Sequence, residues 1–194
     1  MILKTSNKGK MAEFKRILGD KLVIEPGIDL PEVDGNKDEV IIYKSLEAGK
    51  NIIVEDTILL LDGKEVVDIK WNQEDKLKNT KVATWITSIG YNDGEQIHVY
   101  RGIINGIVVE PKVPGFAFDP YFLPDGSDLT LSELDKVGRK EEFSARKIAL
   151  INLVKNRSEF SIDISKIKPW TGKYQNEKKT KTVKTVKKNN VLKK

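Results

Sequence analysis

Three segments of this sequence bring together residue types that could do chemistry. The first, Thr5-Ser6-Asn7-Lys8-Gly9-Lys10, falls where a short apolar run feeds a helical pattern. Free backbone N–H groups and a helix N-terminus are available there to an anion, and Lys10 adds a point charge. The glycine spacing of a P-loop is missing, however, and a capped helix start with two solvated lysines accounts for the same residues. The second is acidic: Glu32 in Leu30-Pro31-Glu32, then Asp38-Glu39, then Glu55-Asp56 at the expected carboxyl end of the apolar run Ile52-Ile53-Val54. Ends of parallel strands are where α/β proteins place ligand crevices. Hard oxygens from separate segments are what Mg²⁺ takes, usually one or two carboxylates completed by phosphate oxygens and water. Successive strand side chains point to opposite faces, so one of Glu55 and Asp56 is structural unless the strand has already turned. A solvated acidic loop is the competing reading. The third segment is Gly115-Phe116-Ala117-Phe118-Asp119-Pro120-Tyr121-Phe122. An extended backbone would put Phe116 and Phe118 on one side, where two rings could sandwich a planar base at roughly 1 to 3 kcal/mol per stacking contact. Core packing is the alternative.

Composition removes other chemistries. The chain has no cysteine and one histidine, so thiolate zinc sites, cysteine nucleophiles and multi-histidine metal sites are excluded. His98 stands in the strand-like run Gln96-Ile97-His98-Val99-Tyr100 and reads as structural. Net charge is +5, but residues 178–194 carry eight lysines and no acid, which leaves the remainder mildly acidic. So lysine-rich a segment buries too little apolar surface to offset its ordering entropy, and a disordered tail making weak polyanion contacts is expected. Apolar runs such as Ile58 to Leu61 fall far short of the ~20 residues of a membrane helix. The expected protein is cytoplasmic, with residues 1–177 forming one domain.

The elements that must position these residues follow from periodicity. Met1 to Lys4 reads as a strand, and Met11, Phe14, Ile17 and Leu18 recur at helical spacing. Leu22 to Ile24 is a second strand, ended by Pro26-Gly27. Asp38-Glu39 opens a helix through Leu46 that leaves at Gly49, and Ile52 to Val54 is a buried parallel strand. This β-α-β order predicts an α/β core. Val82 to Tyr91, Glu95 to Arg101 and Ile103 to Glu110 read as three strands of an antiparallel meander, broken at Asn92-Asp93-Gly94 and at Gly102. Leu131 to Leu134 follows, then a last helix with Ile148, Ala149, Ile151, Leu153 and Val154. The segment Phe160 to Trp170 is ordered in character but has no readable role.

Taken in order, these segments resemble the inosine triphosphate pyrophosphatase family. Its opening Thr-x-Asn-x-x-Lys matches Thr5, Asn7 and Lys10; Leu30-Pro31-Glu32, the run from Asp38 to Lys44, Val54-Glu55-Asp56-Thr57 and Ile69-Lys70-Trp71 follow in register. Arg101-Gly102 with Asn105-Gly106-Ile107-Val108, the Phe116 to Phe122 loop, Thr130 to Leu134, Lys140 and Ser144-Ala145-Arg146 complete a likeness over residues 1–155. The resemblance implies an elongated central mixed β-sheet with flanking helices, forming two lobes around an active-site cleft, in a homodimer. It implies Mg²⁺ held by Glu32 and Asp56, with Asp56 activating water and Lys10 assisting. It assigns phosphate contacts to Lys10, Lys44, Lys70 and Lys140, substrate binding to Thr5 and Asn7, the base and sugar end to Phe116, Phe118 and Asp119, and the base's oxo edge to Ser144 and Arg146. The implied reaction converts deaminated purine nucleoside triphosphates such as ITP, dITP and XTP to monophosphate and pyrophosphate. The sequence departs from the family at Ala145, where histidine is usual, at Ala117, where glycine is usual, and at Asp62-Gly63-Lys64-Glu65, which shortens a Gly-Gly-x-Pro-Gly turn. A Maf-type pyrophosphatase for another nucleotide and a nucleotide- or nucleic-acid-binding protein without turnover are the rival readings.

Overall fold

The structure is a computed structural model and describes residues 2–5, 7–19, 23–26, 30–66, 77 and 80–175. Lys70 and the lysine-rich tail lie outside the described residues. Among the described residues there are eight strands: β1 (Ile2–Thr5), β2 (Val23–Pro26), β3 (Ile52–Leu61), β4 (Lys64–Val66), β5 (Val82–Asn92), β6 (Gln96–Val108), β7 (Phe122–Pro124) and β8 (Phe160–Asp163). The longer helices are α1 (Lys8–Leu18), α2 (Lys37–Ala48), α3 (Leu131–Lys136) and α4 (Ala145–Val154). The sheet runs β2-β1-β3-β5-β6-β7, with β4 paired to β3 and β8 to β6. β1 is parallel to β2 and β3, whereas β3–β4 and β6–β7 are antiparallel, so the sheet is mixed and the expected α/β class holds. Among the described residues no helix is long and apolar enough to cross a membrane.

The described residues fall into two compact units, one within 1–54, 90–98 and 161–194, the other within 55–89 and 99–160. In the first unit Leu3, Phe14, Ile41 and Ile53 are fully buried, as continuous apolar strands and amphipathic helices require. Asn36 starts α2 with a capping box: its Oδ1 accepts from the N–H groups of Asp38 and Glu39, and Glu39 Oε2 accepts from Asn36 N–H at 2.8 Å. Helix α2 lies so close to β5 that a Cβ on Gly90 would sit 2.0 Å from Ser45 Oγ. At the β5–β6 turn, Asp93 Oδ1 accepts from the N–H groups of Glu95 and Gln96, and Oδ2 meets His98 Nε2 at 2.8 Å. The Gln96 amide and His98 hold the Asp93 carboxyl down at about 2. His98 Nδ1 in turn meets Ser161 Oγ at 2.7 Å, so the histidine fastens the hairpin to β8.

Two sequence expectations are corrected in the second unit. The strand expected to end at Glu55-Asp56 runs on: β3 continues to Leu61, because Ile58 to Leu61 are apolar and the alternate residues Leu59 and Leu61 are buried in the core. Nor is Gly102 a turn. Residues 96–108 form one strand of 13 residues, so the expected three-stranded meander is a hairpin of two long strands. Glycine is needed at 102 because a Cβ there would lie 1.9 Å from the carbonyl oxygen of Ala145 and 2.7 Å from the backbone nitrogen of Ala149, both in α4. The core of this unit is Leu59, Leu61, Ala83, Phe118, Phe122, Leu131 and Leu134.

Backbone atoms cannot rotate out of the way as a side chain can. Gly102→Ala should therefore destabilise by about 3 kcal/mol or more, which corresponds to a fall in Tm of roughly 6 to 12 °C. Gly126→Ala is the control: φ is +81° but nothing lies within 4 Å, so only backbone strain of about 1 kcal/mol is expected. Thermal unfolding of both variants measures the difference.

Candidate functional site

In the first unit the structure joins two predicted residues from different motifs. Lys44, on α2, donates to Glu32 Oε1 at 2.6 Å, with the lysine side chain 12% exposed and the glutamate 32%. Glu32 comes from the loop before the capping box, so the α2 start sets its distance from a lysine two turns into the helix. Glu39, the rival acid nearby, is spent on the cap. The Thr5-Asn7-Lys10 motif uses its spacing locally: Thr5 Oγ1 accepts from Asn7 N–H and Asn7 Oδ1 from Lys10 N–H, each at 3.2 Å. These are the two- and three-residue offsets of a capped helix start.

In the second unit, alternation along β3 separates the two acids. Glu55 is 4% exposed, and its Oε1 accepts from Arg146 Nη2 at 3.1 Å and from Thr57 Oγ1. Thr57 Oγ1 also meets Thr87 Oγ1 of β5 at 3.0 Å. Asp56, between Glu55 and Thr57, points to the opposite side of the strand and is only partly buried. Ser144 caps α4, its Oγ accepting from Lys147 N–H at 3.1 Å, and places Ala145 and Arg146 in the first turn. Ala145 itself is 7% exposed.

The aromatic loop departs from the extended reading. Ala117 has φ +48°, which is the left-handed region that favours glycine and explains why glycine is the usual residue in the family this chain resembles. Phe118 then adopts helical dihedrals and leads into a tight turn over Asp119–Tyr121. The two rings part company: Phe116 is 72% exposed, whereas Phe118 is 1% exposed, 5.9 Å from Trp85 and 6.1 Å from Phe122. The two-ring sandwich expected of an extended backbone is thus absent, and Phe118 anchors the loop in the core. The same turn buries Asp119 to 8% exposure, where it accepts from Lys140 Nζ at 2.5 Å.

Thr87 and Trp85 have no place in the sequence reading, and Thr57 enters it only as the end of the Val54-Glu55-Asp56-Thr57 motif, without a role. Thr57 carried a signal, since two residues from Glu55 it must share its strand face. Thr87 and Trp85 carried none, because their neighbours come from distant parts of the chain. Glu32 in the first unit and Asp56 in the second each carry carboxylate oxygens, which are hard donors. Among the described residues no three or more His, Asp or Glu cluster as a ready-made cage. That donor chemistry fits Mg²⁺, which keeps several waters and relies on substrate phosphates.

The mixed sheet and these pairs define an α/β protein with carboxylate–lysine couples on separate elements, a class whose identity the comparisons supply. Residues 1–156 match the Ham1 family. The chain is 32% identical over 151 residues to the inosine triphosphate pyrophosphatase of Schizosaccharomyces pombe, covering 67% of this chain and 80% of that protein. Its fold is similar to the Staphylococcus aureus Ham1 protein, with a TM-score of 0.63 and 23% identity over 80% of this chain and 96% of that one. It is also similar to a nucleoside-triphosphatase described as a dITP/XTP pyrophosphatase from Mycobacterium abscessus, with a TM-score of 0.56 and 20% identity over 79% and 98% of the two chains. The chain belongs to the Ham1 family.

Breaking a buried ion pair from one side leaves the other charge uncompensated, at a cost of about 3 to 5 kcal/mol. Glu55→Gln should show a loss of that size in urea unfolding. The double variant Glu55→Gln with Arg146→Met should recover more than half of it, which a purely local role for Glu55 would not allow.

Proposed function

We propose that this chain is a Mg²⁺-dependent nucleoside triphosphate pyrophosphatase that converts deaminated purine nucleotides such as ITP, dITP and XTP to the monophosphate and pyrophosphate. The observation that carries the reading is family membership over residues 1–156, which contain every matched motif of the site. The pairing of Glu32 with Lys44 and of Asp119 with Lys140 supports it, since each pair joins residues that the motifs had named separately.

Roles follow from chemistry and placement. Glu32 and Asp56 are assigned as the metal carboxylates; Mg²⁺, when bound, neutralises phosphate charge and favours departure of pyrophosphate. Lys10, Lys44, Lys70 and Lys140 are assigned to the phosphate oxygens, with Thr5 and Asn7 shaping the loop that presents Lys10. Asp56 orients the attacking water toward the α-phosphorus, in line with the leaving pyrophosphate. Because an ordinary carboxylate is a weak base, holding that water in line contributes more than removing its proton. This is positioning and electrostatics, the usual substance of phosphoryl transfer catalysis. The exposed ring of Phe116 offers a stacking face to the base, Phe118 fixes the loop, and Asp119 addresses the sugar end. Ser144 and Arg146 address the base's oxo edge. The same reading takes residues 1–177 as one catalytic domain with a lysine-rich tail, working in the cytoplasm as a homodimer.

The test is product analysis on ITP, XTP, dITP, GTP, ATP and dUTP with Mg²⁺ and with EDTA. Pyrophosphate and monophosphate should form only with the metal, and orthophosphate as primary product would exclude attack at the α-phosphorus. Asp56→Asn should keep the fold and lower kcat by about 10² to 10⁴, the range of a general base. Turnover near the parent value would remove Asp56 from the chemistry.

Ala145 bears on base choice. Alanine offers no side-chain donor at a position beside Ser144 and Arg146, so discrimination for a 6-oxo purine rests on the remaining groups. Ala145→His should raise the kcat/KM ratio of ITP over ATP by about five- to 150-fold, which is one hydrogen bond of roughly 1 to 3 kcal/mol in a desolvated site. Steady-state kinetics on both nucleotides decide it, and an unchanged ratio would leave selection to the Phe116 loop.

A further inference from the structure

The chain beyond residue 156 lies outside the family match, yet its described part is tied residue by residue to the loop that carries Glu32. After β8 and a short turn over Ile164–Lys166, residues 168–175 cross the first unit. Tyr43, next to Lys44 on α2, donates its hydroxyl to the Lys168 carbonyl at 2.6 Å, and its ring meets Trp170 edge-on with centroids 5.1 Å apart. Trp170 closes its own turn by donating Nε1–H to the Lys173 carbonyl at 3.0 Å. The indole lies so close to Gly35 that a Cβ there would be 3.1 Å from Trp170 Cη2. The segment then pairs with the acidic loop: Asp34 N–H donates to Lys173 O at 2.8 Å, Val33 and Tyr174 form an antiparallel bridge, and Gln175 N–H donates to Glu32 O at 2.8 Å. Gln175 Nε2 adds a bond to Val33 O at 3.0 Å.

These contacts bind both halves of the Glu32–Lys44 pair. The loop is held through its backbone at 32, 33 and 34, and the helix through Tyr43, one residue from Lys44. Leu30 to Asn36 has no regular structure beyond the one bridge at Val33, so without the strap its backbone would sample many arrangements before Glu32 reached the right one. We propose that the strap of residues 168–175 is a positioning device that presets the Glu32 carboxylate beside Lys44, and so sets the affinity of the protein for a divalent cation. Trp170 and Gln175 are its positioning residues. The inference rests on the reading of Glu32 as a metal carboxylate. A site that is competent only a fraction of the time binds its ligand more weakly by that fraction.

The test uses the full chain and Mn²⁺ alone as probe, with its binding followed by electron paramagnetic resonance. Trp170→Ala should weaken Mn²⁺ binding about five- to twentyfold and raise the half-saturating Mg²⁺ for turnover by a similar factor, while kcat at saturating Mg²⁺ stays within about threefold. Trp170→Phe, which retains a ring against Tyr43 and Gly35, should restore most of the affinity. Unchanged Mn²⁺ affinity in a folded Trp170→Ala would overturn the proposal, as would a fall in kcat with metal affinity intact. If that variant loses its cooperative unfolding transition, Gln175→Pro, which removes the N–H bonded to Glu32 and the side chain bonded to Val33, is judged by the same criterion. A parent protein that binds Mn²⁺ but hydrolyses no nucleotide overturns the pyrophosphatase reading and leaves the strap decided by the binding data. A parent that binds no Mn²⁺ overturns the strap's role.

Discussion

The second unit is organised by one electrostatic constraint, a carboxylate buried in the middle of a strand. Glu55 is 4% exposed, and an ionised group at that depth needs an opposite charge and hydrogen bonds to offset its desolvation. Arg146 supplies the charge from 91 residues away, and Thr57 a hydroxyl. For the guanidinium to reach β3, the first turn of α4 must come down onto the sheet. That approach is what leaves no space for a Cβ at Gly102 and puts the small residue Ala145 against it. The pair also fixes the other acid: with Glu55 committed to one face, alternation delivers Asp56 to the other, where a polar ligand is not competing with the core.

The first unit meets a related constraint with backbone hydrogen bonds. Its acidic loop has to hold Glu32 close to a lysine on α2 although the loop has almost no regular structure of its own. The capping box at Asn36 fixes where the helix begins, and the returning chain from 168 to 175 fixes the loop that precedes it. Lys44 is consequently well buried along its stem while its ammonium meets a partly exposed carboxylate.

What could be read in the sequence was what short spacing controls. The β-α-β opening, the capped start of α1, the acidic first turn of α2, and the opposite faces of Glu55 and Asp56 all depend on residues within four of one another. Family likeness added Lys44, Lys140, Ser144 and Arg146, which no spacing argument would have selected. What could not be read depends on contacts across the chain. Gly102 looked like a turn because glycine punctuates strands in general, whereas its reason is the helix over it, more than 40 residues away. The end of β3 was placed too early because charged residues read as a boundary when the buried partner of one of them is out of view. For Phe116 and Phe118 spacing leaves stacking and core packing both open, and it is the left-handed turn at Ala117 that sends Phe118 to the core. The strap had no local signature, since its meaning lies in Val33, Tyr43 and Glu32.

The pairs also constrain how a phosphate could be recognised. Lys44 and Lys140 each stand about a hydrogen-bond length from a carboxylate, at 2.6 and 2.5 Å. A phosphate approaching either lysine has to share it with that carboxylate or displace it. The cost is that of disturbing a part-buried pair, which exceeds the roughly 0 to 1 kcal/mol of a fully exposed one. The benefit is geometric: a lysine stem has four rotatable bonds, and a carboxylate that fixes the ammonium removes part of the ordering entropy that binding would otherwise bear.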